Sequence, residues 1–214
     1  MSANSKQTNA KKPKSSTGNS ADAMGPATIA YVDESVRMAA DPPSYLMAAT
    51  VPLRDGQLAP FEALFQRGAR KLHWRDMPLP LRRKSVRAIA EMDHLTTVVG
   101  AAPLDRQKQE RARRKCLGAL LPALEKLGVS LAILEGRDRK ADLRDVETAK
   151  YLRRQGTISD ILVTHAGTEE HGLWLPDQIL GAYGEALCGT PGARTWSSDW
   201  ALALASIEVI EIPA

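Results

Sequence analysis

The chain has 214 residues, of which 43% are hydrophobic and 25% charged, proportions of an ordinary globular protein and not of a fibrous or wholly disordered one. Its formal charge of +4 is uneven: residues 1–26 carry four lysines against Asp22, a net of +3, which leaves +1 for the rest. No apolar run approaches the ~18 residues needed to span a bilayer, and the beginning lacks the apolar stretch of a secretory signal, so a cytoplasmic protein without a membrane partner is expected.

Residues 1–26 are rich in Ser, Asn, Lys and Gly and have no aromatic residue, so they bury too little to offset the entropy of ordering. A disordered basic tail is expected there, followed by one domain over 27–214. Residues 28–35, Thr-Ile-Ala-Tyr-Val-Asp-Glu-Ser, read as an apolar, β-branched strand that ends in two adjacent carboxylates, Asp33 and Glu34. A second strand is expected over 45–51, after a Pro-Pro turn. Pro60 to Phe65 reads as a short helix with proline in its first turn. Lys71-Leu-His-Trp74 reads as a brief strand, and residues 81–92 as a helix with Val86 and Ile89 on one side and Arg82, Arg83 and Arg87 on another. His94 to Gly100 is a strand by its β-branched content.

The longest helix candidate spans 105–127, with a leucine stripe at Leu117, Leu120, Leu121, Leu124 and Leu127. Asp105 suits its N-cap, Pro122 is expected to kink or split it, and Gly128 to end it. On an ideal helix Lys108, Arg111 and Lys115 share a face away from the leucines, which predicts a basic strip suited to a nucleic-acid backbone. Val129 to Leu134 is a nearly all-apolar run, as in a central strand, and it ends in Glu135. A mixed-charge helix over 142–155, a strand over 158–163 and a polar loop over 164–172 follow. An apolar helix then begins near Leu173, with Asp177 close to its start and small residues Gly181, Ala182 and Gly184 along it. Ile207 to Ile212 suits an edge strand. Strands and helices intermixed in this order predict an α/β fold, a mixed sheet flanked by helices.

Cys116 and Cys188 show neither Cys-x-x-Cys nor zinc spacing, so free thiols in a reducing compartment are expected. The chemistry points instead to carboxylates. Asp33 and Glu34 close one apolar strand, Glu135 closes another, and Asp177 opens a helix that can lean on the sheet. Gathered at one sheet end, such hard oxygen ligands suit Mg²⁺ or Mn²⁺ and the hydrolysis of a phosphodiester. His73, beside Trp74, is a candidate for phosphate contact or proton transfer. A solvated Asp-Glu pair opening a loop is the plain alternative.

Three landmarks in order, Tyr31-Val-Asp33-Glu34-Ser35, Leu72-His73-Trp74 and Trp174-Leu-Pro-Asp177-Gln-Ile-Leu-Gly-Ala182, resemble those of the domain-of-unknown-function family 3800. The resemblance covers roughly residues 27–190. It implies a ribonuclease-H-like fold and a nuclease or phosphodiesterase in which Asp33, Glu135 and Asp177 bind metal and Glu34 joins them. This chain departs from the family at Val36, where glycine is usual, and at Pro176 and Gln178, where alanine and leucine are usual. The alternative function is a non-catalytic nucleic-acid- or protein-binding module on the same fold, and carboxylate geometry discriminates the two.

Overall fold

A computed structural model of the chain describes residues 28–65, 71–189 and 197–214. The tail expected over 1–26 lies outside the described residues. Six strands form one mixed sheet: β1 (Ile29–Arg37), β2 (Ser44–Pro52), β3 (His94–Ala102), β4 (Leu131–Glu135), β5 (Leu162–Ala166) and β6 (Ile207–Pro213). Their spatial order is β5-β4-β1-β2-β3-β6. The β1-β2-β3 meander is antiparallel, whereas β4, β5 and β6 each join by parallel pairing.

Strand β2 has a helix-bearing layer on each side, and its first eight residues are buried, which is why its apolar run lacks a polar alternate. On one face lie α3 (Gln109–Lys126) and α4 (Arg139–Arg154), packed over Ala30, Val32, Ala132 and Leu134. On the other lie α2 (Leu79–Glu91), α5 (Trp174–Leu187) and α6 (Ser197–Leu204), packed over Leu46, Ala48 and Val98. A one-turn helix, α1 (Ala59–Glu62), places Phe61 in that second layer.

Helix α3 runs unbroken through Pro122 and ends before Gly128, whose φ of 78° is left-handed and closes the helix, as expected. Its start is not a single helical run from Asp105: residues 106–108 form a 3-10 turn, capped by Asp105 through the Gln107 N–H.

Two expected strands are displaced, each for a visible reason. Residues 71–74 pair with no strand, because the Trp74 N–H donates to the Asp177 carboxylate and the Leu72 carbonyl accepts from Gln178; Trp74–Asp76 is a 3-10 turn. The strand expected over 158–163 begins only at Leu162. The Glu125 carboxylate accepts from the N–H groups of Ser159, Asp160 and Ile161, and Arg153 donates to the carbonyls of Ser159 and Ile161, so this stretch is held as a loop. His165, expected in a loop, is therefore in β5. Helix α6 lies where no element was expected. No helix among the described residues is long and apolar enough to cross a membrane.

Candidate metal and phosphodiester site

Side chains alternate faces along a strand, and this decides which carboxylates can meet. Val32 pairs in register with Leu134, both facing α3 and α4. The next residues on, Asp33 and Glu135, therefore face the opposite side, towards α5. Adjacent parallel strands thus deliver two carboxylates side by side, Glu135 from the last residue of β4 and Asp33 from within β1, which does not end at the acidic pair as expected but stays paired with β2 through Arg37. Asp177, buried in the first turn of α5, lies near enough to act on the Asp33 charge, although among the described residues these three carboxylates are not a group with all ligand atoms within 4.8 Å.

Its carboxylate is oriented from three directions. Oδ2 accepts from the Trp74 N–H at 2.8 Å and from Gln178 Nε2 at 3.0 Å. Oδ1 lies 2.7 Å from His73 Nδ1, a charge contact without the alignment of a hydrogen bond. Gln178 is itself fully buried, accepting from Ser85 Oγ and donating to the Leu72 carbonyl. Gly181 lets this segment come close: a Cβ there would collide with the Trp74 ring.

Lys71 lies among the carboxylates. Its Nζ is 3.7 Å from Asp33 Oδ2 and also donates to Glu135 Oε2. Burial pushes the Asp33 carboxyl up to about 8; Lys71 pulls against this, and the charges of Asp177 and Glu135 add to it. Contact with Asp177 raises His73 above its ordinary value, against burial, so the imidazole favours its charged form. Lys71 is also raised: burial opposes its charge, but Asp33, Asp177 and Glu135 outweigh it.

Beside His73 and Asp177 opens a cleft of about 340 Å³ whose lining includes Arg37, Arg75, Arg82 and Glu185. Arg82 is held by Glu185 and by the Trp74 carbonyl. Arg37 donates through Nη2 to the Leu180 carbonyl at 2.8 Å, while its buried Nε has no hydrogen-bond partner.

Glu34 does not join this group. One residue on from Asp33, it points to the other face and pairs with Arg113 of α3. The expected basic strip also dissolves. Lys108 pairs with Asp105 at 3.0 Å in the 3-10 turn, and Lys115 donates to the carbonyls of Pro213 and Ala214, both at 3.0 Å. Arg111 is exposed, but it lines a separate cleft of about 630 Å³ between α3 and α4, on the face away from Asp33. His171 stacks on Trp174 and contacts Glu62.

That second face holds its own titratable cluster. Asp142, Asp145 and His165 have ligand atoms within 4.8 Å of one another, a group that could hold a metal. Asp145, however, already accepts a bidentate fork from Arg113 Nε at 2.9 Å and Nη2 at 2.8 Å, a further bond from Arg137 Nη2 at 3.4 Å, and lies 3.1 Å from His165 Nε2, so both oxygens are engaged. Burial alone would raise Asp145; hydrogen bonds from His165 and Arg113 reverse this and bring it to about 2.

Residue reasoning missed Lys71 and Gln178. A glutamine within the otherwise apolar face of α5 is the signal that could have found the second; the stretch around Lys71 offers none.

No protein-family model matches the chain, and no curated protein does. Among solved structures it is similar to the PCNA:RNase HII complex from Archaeoglobus fulgidus, with a TM-score of 0.53 and 12% identity over 78% of this chain and 77% of that one. The fold is ribonuclease-H-like.

Proposed function

We propose that the protein is a metal-dependent phosphodiester hydrolase acting on nucleic acid, with its centre at Asp33, Glu135 and Asp177. The observation that carries this reading is Asp33 itself: a buried carboxyl, raised to about 8, with two further carboxyl groups close enough to act on its charge. Such a group gains most from a cation, and strongly perturbed titration marks functional sites. The likeness to an RNase HII complex and the resemblance to family 3800 agree with it in fold.

All three donors are hard carboxylate oxygens, which fit Mg²⁺ or Mn²⁺. Asp33, Glu135 and Asp177 would hold the ion, and it would supply Lewis-acid polarisation of a phosphoryl oxygen and a more acidic water. The chain's own residues do the rest. His73, Trp74 N–H and Gln178 fix the Asp177 carboxylate, as outer partners do for metal ligands. His73, which Asp177 biases towards its protonated form, is placed to give a proton to a departing oxygen. Arg75 and the unpartnered Nε of Arg37 offer donors to a phosphate in the adjoining cleft.

The test is cleavage of single- and double-stranded DNA and RNA with Mg²⁺ or Mn²⁺, comparing wild type with Asp33→Asn and Asp177→Asn. Cleavage by wild type and its loss in both variants is expected. Binding of nucleic acid without cleavage by wild type would leave the binding-module reading in its place.

A further inference from the structure

Lys71 has no role in the reading above, yet it is the best-enclosed cation at the site. Its side chain is 12% exposed and lies against carboxylates from two neighbouring strands. A lysine ammonium is compact and strongly hydrated, so burying it needs paired charge in return. Its position is also fixed by the backbone. The next residue, Leu72, is held at its carbonyl by Gln178, and Trp74 is held at its N–H by Asp177. The turn of α5 that carries the third carboxylate therefore also sets where Lys71 enters.

We propose that Lys71 is a tethered cation standing in for one of the two divalent ions such a site would otherwise hold, so that the centre binds a single ion. The proposal rests on the hydrolase reading and specifies its metal content. Charge is the first argument. Three carboxylates set against the Lys71 ammonium and the His73 imidazole that faces Asp177 leave at most two negative charges, which a single divalent ion neutralises. A second ion would have to expel an ammonium already in contact with two of the three carboxylates. Spacing is the second. A pair of ions about 3.5–4 Å apart needs carboxylates crowded around both. Among the described residues the trio with all ligand atoms within 4.8 Å is Asp142, Asp145 and His165, not Asp33, Glu135 and Asp177. Asp33 and Glu135 flank the ammonium, and Glu135 Oε2 is occupied by it. Lysine is a competent phosphate binder as a point charge, so Lys71 can also neutralise a phosphoryl oxygen brought to the centre.

The experiment counts Mn²⁺ bound per chain, by electron paramagnetic resonance of free Mn²⁺ during titration of the whole protein at pH 8. It uses wild type, Lys71→Gln, Lys71→Met, Lys71→Arg and Asp33→Asn, each first shown to be folded by circular dichroism. Wild type and Lys71→Arg are expected to bind one ion, and Lys71→Gln and Lys71→Met two, as in the two-ion sites of phosphoryl-transfer enzymes. Asp33→Asn is expected to lose the ion counted in wild type, which separates it from any ion at Asp142, Asp145 and His165. Two ions at the Asp33 centre of wild type would overturn the proposal, as would a single ion in whichever of the two neutral variants folds. No Mn²⁺ lost on Asp33→Asn, or none bound by any protein, would remove the metal site and the hydrolase reading with it. That failure is distinct from two ions in wild type, which removes only the part given to Lys71.

Discussion

The two faces of the sheet bury carboxylates under opposite conditions. Beneath α3 and α4, Asp145 accepts a bidentate fork from Arg113, Glu34 pairs with the same guanidinium, and Glu110 pairs with Arg137 and Arg144. Beneath α5, Asp33 and Glu135 share one lysine, and Asp177 faces one histidine. Burial raises both central carboxyl groups, yet Asp145 ends at about 2 and Asp33 at about 8. The cations decide the difference. A guanidinium fork engages both oxygens of a carboxylate at once, and His165 and Arg137 add to it at Asp145, whereas an ammonium shared between two carboxylates leaves each with spare capacity. A saturated carboxylate holds structure together; an undersupplied one can take a further cation.

This contrast can be broken most forcefully at Asp145. Asp145→Ala removes the bidentate partner of the buried Arg113 and leaves it Glu34 as its one carboxylate; it should cost about 3–5 kcal/mol in urea denaturation, with activity per folded molecule retained. A loss under about 1 kcal/mol would show that the arginine-saturated face is not structural. Next in size is Gly181→Ala, which drives a methyl group into Trp74. It should cost roughly 1–3 kcal/mol by overpacking. Because Trp74 also orients Asp177, it should lower kcat beyond what the unfolded fraction explains.

Asp33→Asn sharpens the comparison through pH. A carboxyl raised on folding binds a proton that the unfolded chain has already released. Its contribution is therefore complete below about pH 4 and fades as pH climbs towards 8. In EDTA the wild type should lose stability across that window, and Asp33→Asn should lose less, ending at pH 8 as stable as wild type or slightly more so. Asp145 works in the other direction: its contribution is present above about pH 4 and lost as pH falls towards 2. Equal slopes for wild type and Asp33→Asn between pH 4 and 8 would contradict the assignment of Asp33 as the strained member.

The smallest effects concern nucleic-acid contacts. Arg75→Ala should reduce the salt slope of binding by ~0.9, the value for one phosphate contact, while Arg111→Ala, on the far face, should leave it unchanged. A flattened slope for Arg111→Ala alone would move the strand to the α3 side.

Much of the site was legible where a local pattern ended. Glu135 closes β4 and Asp177 lies in the first turn of α5, as the apolar runs beside them indicate, whereas Asp33 falls within β1, which pairs with β2 as far as Arg37. Glu34 was misplaced although the pattern contained the answer: period two sends neighbours to opposite faces, and the adjacency of the pair in sequence concealed this. The basic strip failed because helical spacing was projected through Lys108, where the backbone is a 3-10 turn, and because Lys115 is claimed by the end of the chain. Lys71 was illegible for a deeper reason. Its segment belongs to no periodic element; its backbone hydrogen bonds go to the side chains of Asp177 and Gln178, a hundred residues away in sequence, and no local rule anticipates such partners.

The bond from the Trp74 main chain to Asp177 has a consequence for mutagenesis. Its donor is an N–H that every residue type but one possesses, so nineteen of the twenty amino acids at position 74 would preserve it. An alanine scan would pass over this contact and credit Asp177 with independence it does not have. Proline at position 74 is the single coding change there that deletes the donor, and in a saturation library it should stand apart from every other variant at that position.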